Sequence, residues 1–279
     1  MALPTRPLGA TGISVTALGL GGEGVLRTNG REREAHALIR RAVDLGITYF
    51  ESARAYADSE QYLGHSLGAD RQRVFLATKT HYRSARGARA HLEESLDALR
   101  TDWLDLWYLH DLRQQKDLDG ISGPGGALET VAAAQAAGQV RHVGISGHES
   151  PDILLRALEL YPFEVVLMPV NPAEAAVDAF TTRLLPTLRE RGLGLVAMKT
   201  LCRGLVSQVP GFTDSAAYLH YALSVPGVSV LSVGCDSPAQ LEQNVTAVES
   251  YRPPPEDRRE ALEQFLYPYA ADLLYYRPR

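Results

Sequence analysis

Residues 32–51 read EREAHALIRRAVDLGITYFE. Leu38, Ala42 and Leu45 recur at helical spacing along one face, while the arginines and glutamates take the other. Gly46 supplies the left-handed turn that ends such a helix, and ITYFE follows as a short apolar run with strand character. The same unit repeats outward in both directions. Strands are expected at 16–21 (TALGLG), 47–51, 74–79 (VFLATK), 104–109 (LDLWYL), 140–145 (VRHVGI), 164–168 (EVVLM), 193–198 (LGLVAM) and 228–233 (VSVLSV). Most are apolar at nearly every position, as parallel strands covered on both faces must be. Amphipathic segments such as 86–100 and 127–138 lie between them, and Gly138 and Gly192 repeat the helix-stop role of Gly46. Eight alternating β and α elements in 279 residues, with no linker or change of composition, predict one (β/α)8 barrel domain over 1–279. RPLGATGISV is expected to form a hairpin turning on Gly9–Gly12 that closes the barrel floor. Pro253–Pro255 ends the eighth unit, and a last amphipathic helix carries Phe265, Leu266 and Tyr269.

A formal charge of −5, from 28 Lys and Arg against 33 Asp and Glu, predicts neither a nucleic-acid nor a membrane partner. Two cysteines, Cys202 and Cys235, cannot build a disulfide framework, and the first residues carry no secretory pattern, so a cytoplasmic location is expected. The glycine-rich stretch 120–126, GISGPGG, follows no strand and lacks the Lys-Ser or Lys-Thr pair of a phosphate loop. It reads as a flexible connection, within a stretch 111–126 that is a candidate lid.

A parallel barrel builds its active site at the C-terminal ends of its strands. Those positions hold Glu51, with Tyr56 five residues on, then Lys79, then His110 beside Asp111. Neighbouring strands lie roughly 4.8 Å apart, so these groups can converge on one pocket. A tyrosine hydroxyl releases its proton reluctantly at neutral pH; an adjacent ammonium stabilises the phenolate and favours release. A carboxylate holds that ammonium charged, and a histidine can orient a carbonyl. No metal site is expected.

These residues carry a family likeness. ITYFESARAYADSEQYLG, with its acidic strand end, Tyr, Ser-Glu and Leu-Gly, resembles the aldo-keto reductase signature. VFLATK, LDLWYLHDL, QVRHVGIS and SPAQLEQNV extend the resemblance almost from end to end. It implies a barrel that binds NADPH or NADH across its mouth and reduces an aldehyde or ketone. In that reading Tyr56 is the general acid, Lys79 tunes it, His110 orients the carbonyl and Glu51 takes the place of the family's carboxylate. The cofactor is expected against Gly22, Ser146, Gly147, Asn171, Lys199, Leu201, Gly204, Gly234, Ser237, Gln240, Gln243 and Asn244, with Thr200–Gly204 as the pyrophosphate loop.

The chain departs from the family's habits at several of these positions. Glu51 stands where Asp is usual, one methylene longer. Ser146-Gly147-His148 replaces Ser-Asn after strand five, Leu167 replaces Gln after strand six, and Ala197-Met198-Lys199 supplies no ring-stacking Tyr. A branch with Ser-Gly-His and Met-Lys matches these last features. After strand eight Asp236 and Gln240 stand where NADPH-dependent members carry Lys and Arg, which leaves the choice between NADPH and NADH open. The same departures keep two alternatives alive: a non-reductive dehydratase, cyclase or isomerase on this barrel, and a nucleotide-sensing regulatory protein. Arg83, Arg86 and Arg89 read first as a solvated helix face and second as an anchor for a substrate carboxylate or phosphate. The oligomeric state is not legible in the sequence.

Overall fold

The computed structural model describes residues 3–277. Eight parallel strands close into a barrel: Leu18–Gly24, Tyr49–Glu51, Phe75–Thr80, Leu104–Leu109, Val140–Ser146, Val165–Pro169, Gly194–Met198 and Val228–Cys235. Each pairs with the next in sequence, and the eighth pairs with the first. Their alternation sorts the side chains into two layers. Inside, Tyr49, Phe75, Leu106, Tyr108, Val165, Leu167, Val196 and Val230 fill the barrel. Outside, Phe50, Leu76, Trp107, Val166 and Leu231 meet the helices. That double burial is why the strands read as unbroken apolar runs.

The hairpin Thr5–Pro7 and Ser14–Thr16 sits on the floor. Leu8 and Val15 from it are fully buried in the inner layer and plug the barrel from below. Gly9, at φ +56°, passes so close to the seventh strand that a Cβ would lie 2.2 Å from the backbone nitrogen of Gly194. Gly46, Gly138 and Gly192 all take positive φ after their helices, as expected.

The stretch 120–126 corrects the flexible-connection reading. Residues 115–122 form a helix, Gln115–Ser122, opened by a capping box in which Asp117 accepts from the backbone of Gln114 and Arg113. Only 123–126 remains as a link, and Gly126 bridges to Ser84. A buried, doubly bonded carboxylate at the third helical position outweighs the poor helix propensity of Gly120. After Pro255 the chain forms helix Glu256–Leu266 and a short turn, Ala270–Leu273, and then runs back toward the barrel mouth. Among the described residues, no helix is long and apolar enough to cross a membrane.

Candidate active site

The inward-facing positions of the second, third and fourth strands run Tyr49–Glu51, Ala77–Lys79 and Tyr108–His110 from the interior to the mouth. Alternation alone therefore places Glu51, Lys79 and His110 side by side over the inner layer. Tyr56 reaches them from the loop after the second strand. Behind that loop, buried Glu60 accepts from Arg54 (2.6 Å), Thr78 (2.5 Å) and Ser95 (2.8 Å), and Ser52 donates to Ser59 at 2.8 Å. The Ser-Glu of the signature thus braces the loop against the third strand and its helix, outside the reacting groups.

The Lys79 ammonium is 1% exposed and donates to Glu51 Oε1 at 2.5 Å and to the Ser52 carbonyl at 2.8 Å. Burial opposes its charge, but Glu51 and Tyr56 outweigh burial and raise its pKa above the ordinary lysine value, so it stays charged. Lys79 Nζ and the Arg27 guanidinium each lie 4.7 Å from the centre of the Tyr56 ring. Burial nevertheless raises the Tyr56 pKa; the Lys79 charge lowers it, and Glu51 pushes it up again. The net direction corrects the simple expectation of a lowered value: in the protein alone, desolvation wins. The His110 ring stands edge-on to Tyr56 with centroids 5.7 Å apart. Burial, reinforced by Lys79, drives its pKa well below the usual histidine value, so the imidazole is neutral. Its Nδ1 is buried without a partner among the described residues.

Two cavities meet at Tyr56. One, of about 380 Å³, is lined by Gly22, Glu23, Tyr56, Lys199, Leu201, Gly204, Gly234 and Gln240 among others. The other, of about 470 Å³, holds Lys79, His110, Ser146, Lys199 and Tyr276, with a polar wall of His81, Arg83, Arg113, Gln114, Asp117 and His148. The first has the features a nicotinamide dinucleotide requires. Its floor is glycine where strands crowd: a Cβ on Gly22 would lie 2.9 Å from the Tyr56 ring, and one on Gly234 would lie 2.7 Å from Glu23. Lys199 has no carboxylate partner among the described residues, and burial lowers its pKa to about 8, so an anion beside it would be stabilised. Outside this lining, buried Asn171 has an Oδ1 acceptor with no donor among the described residues.

The remaining expected cofactor residues lie elsewhere. Ser146 lines the second cavity, yet its hydroxyl already accepts from the Asp111 backbone at 2.9 Å. Gly147 is packing: a Cβ there would meet the Leu112 carbonyl at 2.8 Å. Asn171 donates to the Tyr276 hydroxyl (2.9 Å) and the Lys199 carbonyl (3.2 Å), outside both linings. Ser237 caps the helix Pro238–Glu249 through the Gln240 backbone, and the Gln240 side chain accepts from the Asp236 backbone. Asn244 is buried against Cys235, and Gln243 faces a separate surface groove. Arg83 lines the second cavity, tied to Asp117 at 3.0 Å and to the Asp111 carbonyl; Arg86 and Arg89 are exposed, away from it.

Sequence reading passed over Glu23, Arg27, Arg203, Tyr275 and Tyr276. Glu23 bridges Arg27 (2.8 Å) and Arg203 (3.3 Å), which joins the first strand to the loop after the seventh. Its position just past the strand read from the sequence at 16–21 was a usable signal. The tail had none: Tyr276 reaches the mouth because its hydroxyl donates to buried Glu174 at 2.7 Å and Arg277 pairs with that same carboxylate.

The sequence model of the aldo/keto reductase family matches residues 17–214. L-galactose dehydrogenase of Arabidopsis thaliana is 30% identical over 87% of this chain and 87% of its own. A putative aldo-keto reductase from Pseudomonas aeruginosa superposes with a TM-score of 0.72 at 28% identity, covering 88% of this chain and 93% of that one. The holo form of aldo-keto reductase AKR11C1 from Bacillus halodurans gives 0.79 at 22% identity over 94% and 96%. The chain belongs to the aldo/keto reductase family and is an NAD(P)H-dependent oxidoreductase of the (β/α)8 barrel type.

Proposed function

We propose that the protein reduces a small, polar, hydroxylated aldehyde or ketone, with Tyr56 as the proton donor. The observation that carries this reading is the meeting of the two cavities at Tyr56, with Lys79 and His110 beside it. Lys199, Leu201, Gly204, Gly22 and Gly234 would hold the dinucleotide, and the bound cofactor supplies hydride to the carbonyl carbon. The chain's own residues handle the oxygen. Neutral His110 orients the carbonyl by a hydrogen bond. As negative charge grows on that oxygen, the Tyr56 hydroxyl gives up its proton to it, and the Lys79 ammonium stabilises the phenolate left behind. Glu51 keeps the ammonium charged and in place.

The substrate class follows from the second cavity, whose wall of arginine, glutamine, aspartate and histidine suits a compound rich in hydroxyls better than an aliphatic or aromatic one. The Arabidopsis relative, named for a sugar, points the same way. Arg83 and Arg113 are already paired with Asp117 and Asp111, so recognition rests on hydrogen bonds more than on substrate charge. Two buried free thiols, Cys202 and Cys235, suit a single-domain enzyme of the reducing cytoplasm. Tyr56→Phe removes the donor while keeping the ring. It should lower kcat by about two to four orders of magnitude and leave nucleotide binding within about twofold; unchanged turnover would remove Tyr56 from the mechanism.

A further inference from the structure

Beneath the reacting groups, inside the barrel, two tyrosines are completely buried: Tyr49 on the second strand and Tyr108 on the fourth. They are not neighbours in the sheet. Their hydroxyls meet at 3.0 Å across the third strand, where Tyr49 is paired with Phe75, Tyr108 with Lys79, and small Ala77 faces inward between those two. The Tyr49 hydroxyl also lies 3.4 Å from Glu51 Oε2, the carboxylate oxygen that Lys79 does not use.

The protons in this chain can be assigned. A carboxylate only accepts, so Tyr49 donates its proton to Glu51; Tyr49 has then none left, and Tyr108 must be the donor between the two phenols. The reverse order would leave Oε2 without a donor in the barrel interior, a costly arrangement for a buried charge. The Tyr108 hydroxyl therefore points to Tyr49, and the Tyr49 hydroxyl points to Glu51. An aspartate at the same place would draw the carboxylate back by about 1.5 Å, away from the Tyr49 hydroxyl.

We infer that Tyr49 and Tyr108 are positioning residues for the reduction: their linked hydroxyls hold the longer carboxylate of Glu51 in place and aimed at Lys79, which is what makes glutamate workable at this position. The inference rests on the reading of Tyr56 as proton donor and Lys79 as its partner. Tyr49→Phe strips Oε2 of its donor. The less-neutralised carboxylate then either acts more strongly on Tyr56 or draws the proton from Lys79; both disfavour the phenolate and move the loss of activity at high pH upward.

The test is steady-state reduction of glyceraldehyde with NADPH across the pH range. It compares wild type, Tyr49→Phe, Tyr108→Phe, Glu51→Asp and the Tyr49→Phe/Glu51→Asp double variant, with thermal midpoints recorded. Tyr49→Phe should lower kcat about tenfold, leave KM within about twofold and shift the alkaline limb upward by about one pH unit. Tyr108→Phe should act in the same direction and less. In the Glu51→Asp background, where the carboxylate no longer meets the hydroxyl, Tyr49→Phe should cost nothing more. An unmoved pH profile in Tyr49→Phe overturns the inference, whether kcat holds or falls with the thermal midpoint, and so do losses that multiply in the double variant. Tyr56→Phe, measured alongside, separates the two levels. If it is inactive while Tyr49→Phe is silent, only the positioning role fails; if it turns over normally, the reading of Tyr56 as proton donor fails and takes this inference with it.

Discussion

Lys199 couples burial to affinity in a way that can be measured. Its pKa is lowered to about 8, chiefly by burial. A bound phosphate would raise that value, so the ammonium's contribution to nucleotide affinity is fully present below about pH 8. Above it the free protein loses the proton and binding has to restore it, so the contribution fades as pH rises through the bound-state value. The dissociation constant for NADPH should therefore climb above about pH 8. Lys199→Met should weaken binding by about 10- to 100-fold at pH 7 and flatten the pH dependence, as nucleotide fluorescence titration would show. Residues of this kind differ in how plainly the sequence announces them. Glu51, Lys79 and His110 were legible because strand alternation fixes which way a strand-end side chain points. Gly147, Ser237, Gln243 and Asn244 were assigned to the cofactor by likeness alone; in the structure they lie at a close packing contact, a helix cap, a surface groove and a buried contact with Cys235.

Whole elements show the same divide. Every barrel strand was legible within a few residues, since double burial writes an apolar run that no surface element imitates. The floor hairpin announced itself through Gly9 and Gly12. It is also a stability element distant from the mouth: Leu8 is fully buried against Gly194 and the inner layer. Leu8→Ala should lower stability by about 2–5 kcal/mol in denaturant unfolding while leaving kcat and KM near wild type. Helix Gln115–Ser122 was hidden because its glycine and its glycine-rich exit masked a capping box centred on Asp117. The tail's return to the mouth was hidden for a different reason: the partners of Tyr276 and Arg277, Asn171 and Glu174, lie about a hundred positions away in the chain, and no local pattern encodes them.

At the scale of the molecule, the barrel divides its work between two ends. The hairpin, Leu8 and Val15 seal one; the other gathers the acid, the lysine, the histidine and the glycine-floored cleft around a single tyrosine. The glutamate that replaces the usual aspartate kept non-reductive chemistry in view at the level of sequence. In the structure its carboxylate is bound by Lys79 and lies beside the Tyr49 hydroxyl. That arrangement favours a supporting role over direct proton exchange with substrate. The most direct test is to follow the nicotinamide absorbance and the products together during turnover of hydroxylated aldehydes and sugars. One equivalent of NAD(P)H should be oxidised for each carbonyl converted to alcohol. Product formed while the reduced cofactor stays unconsumed would contradict this.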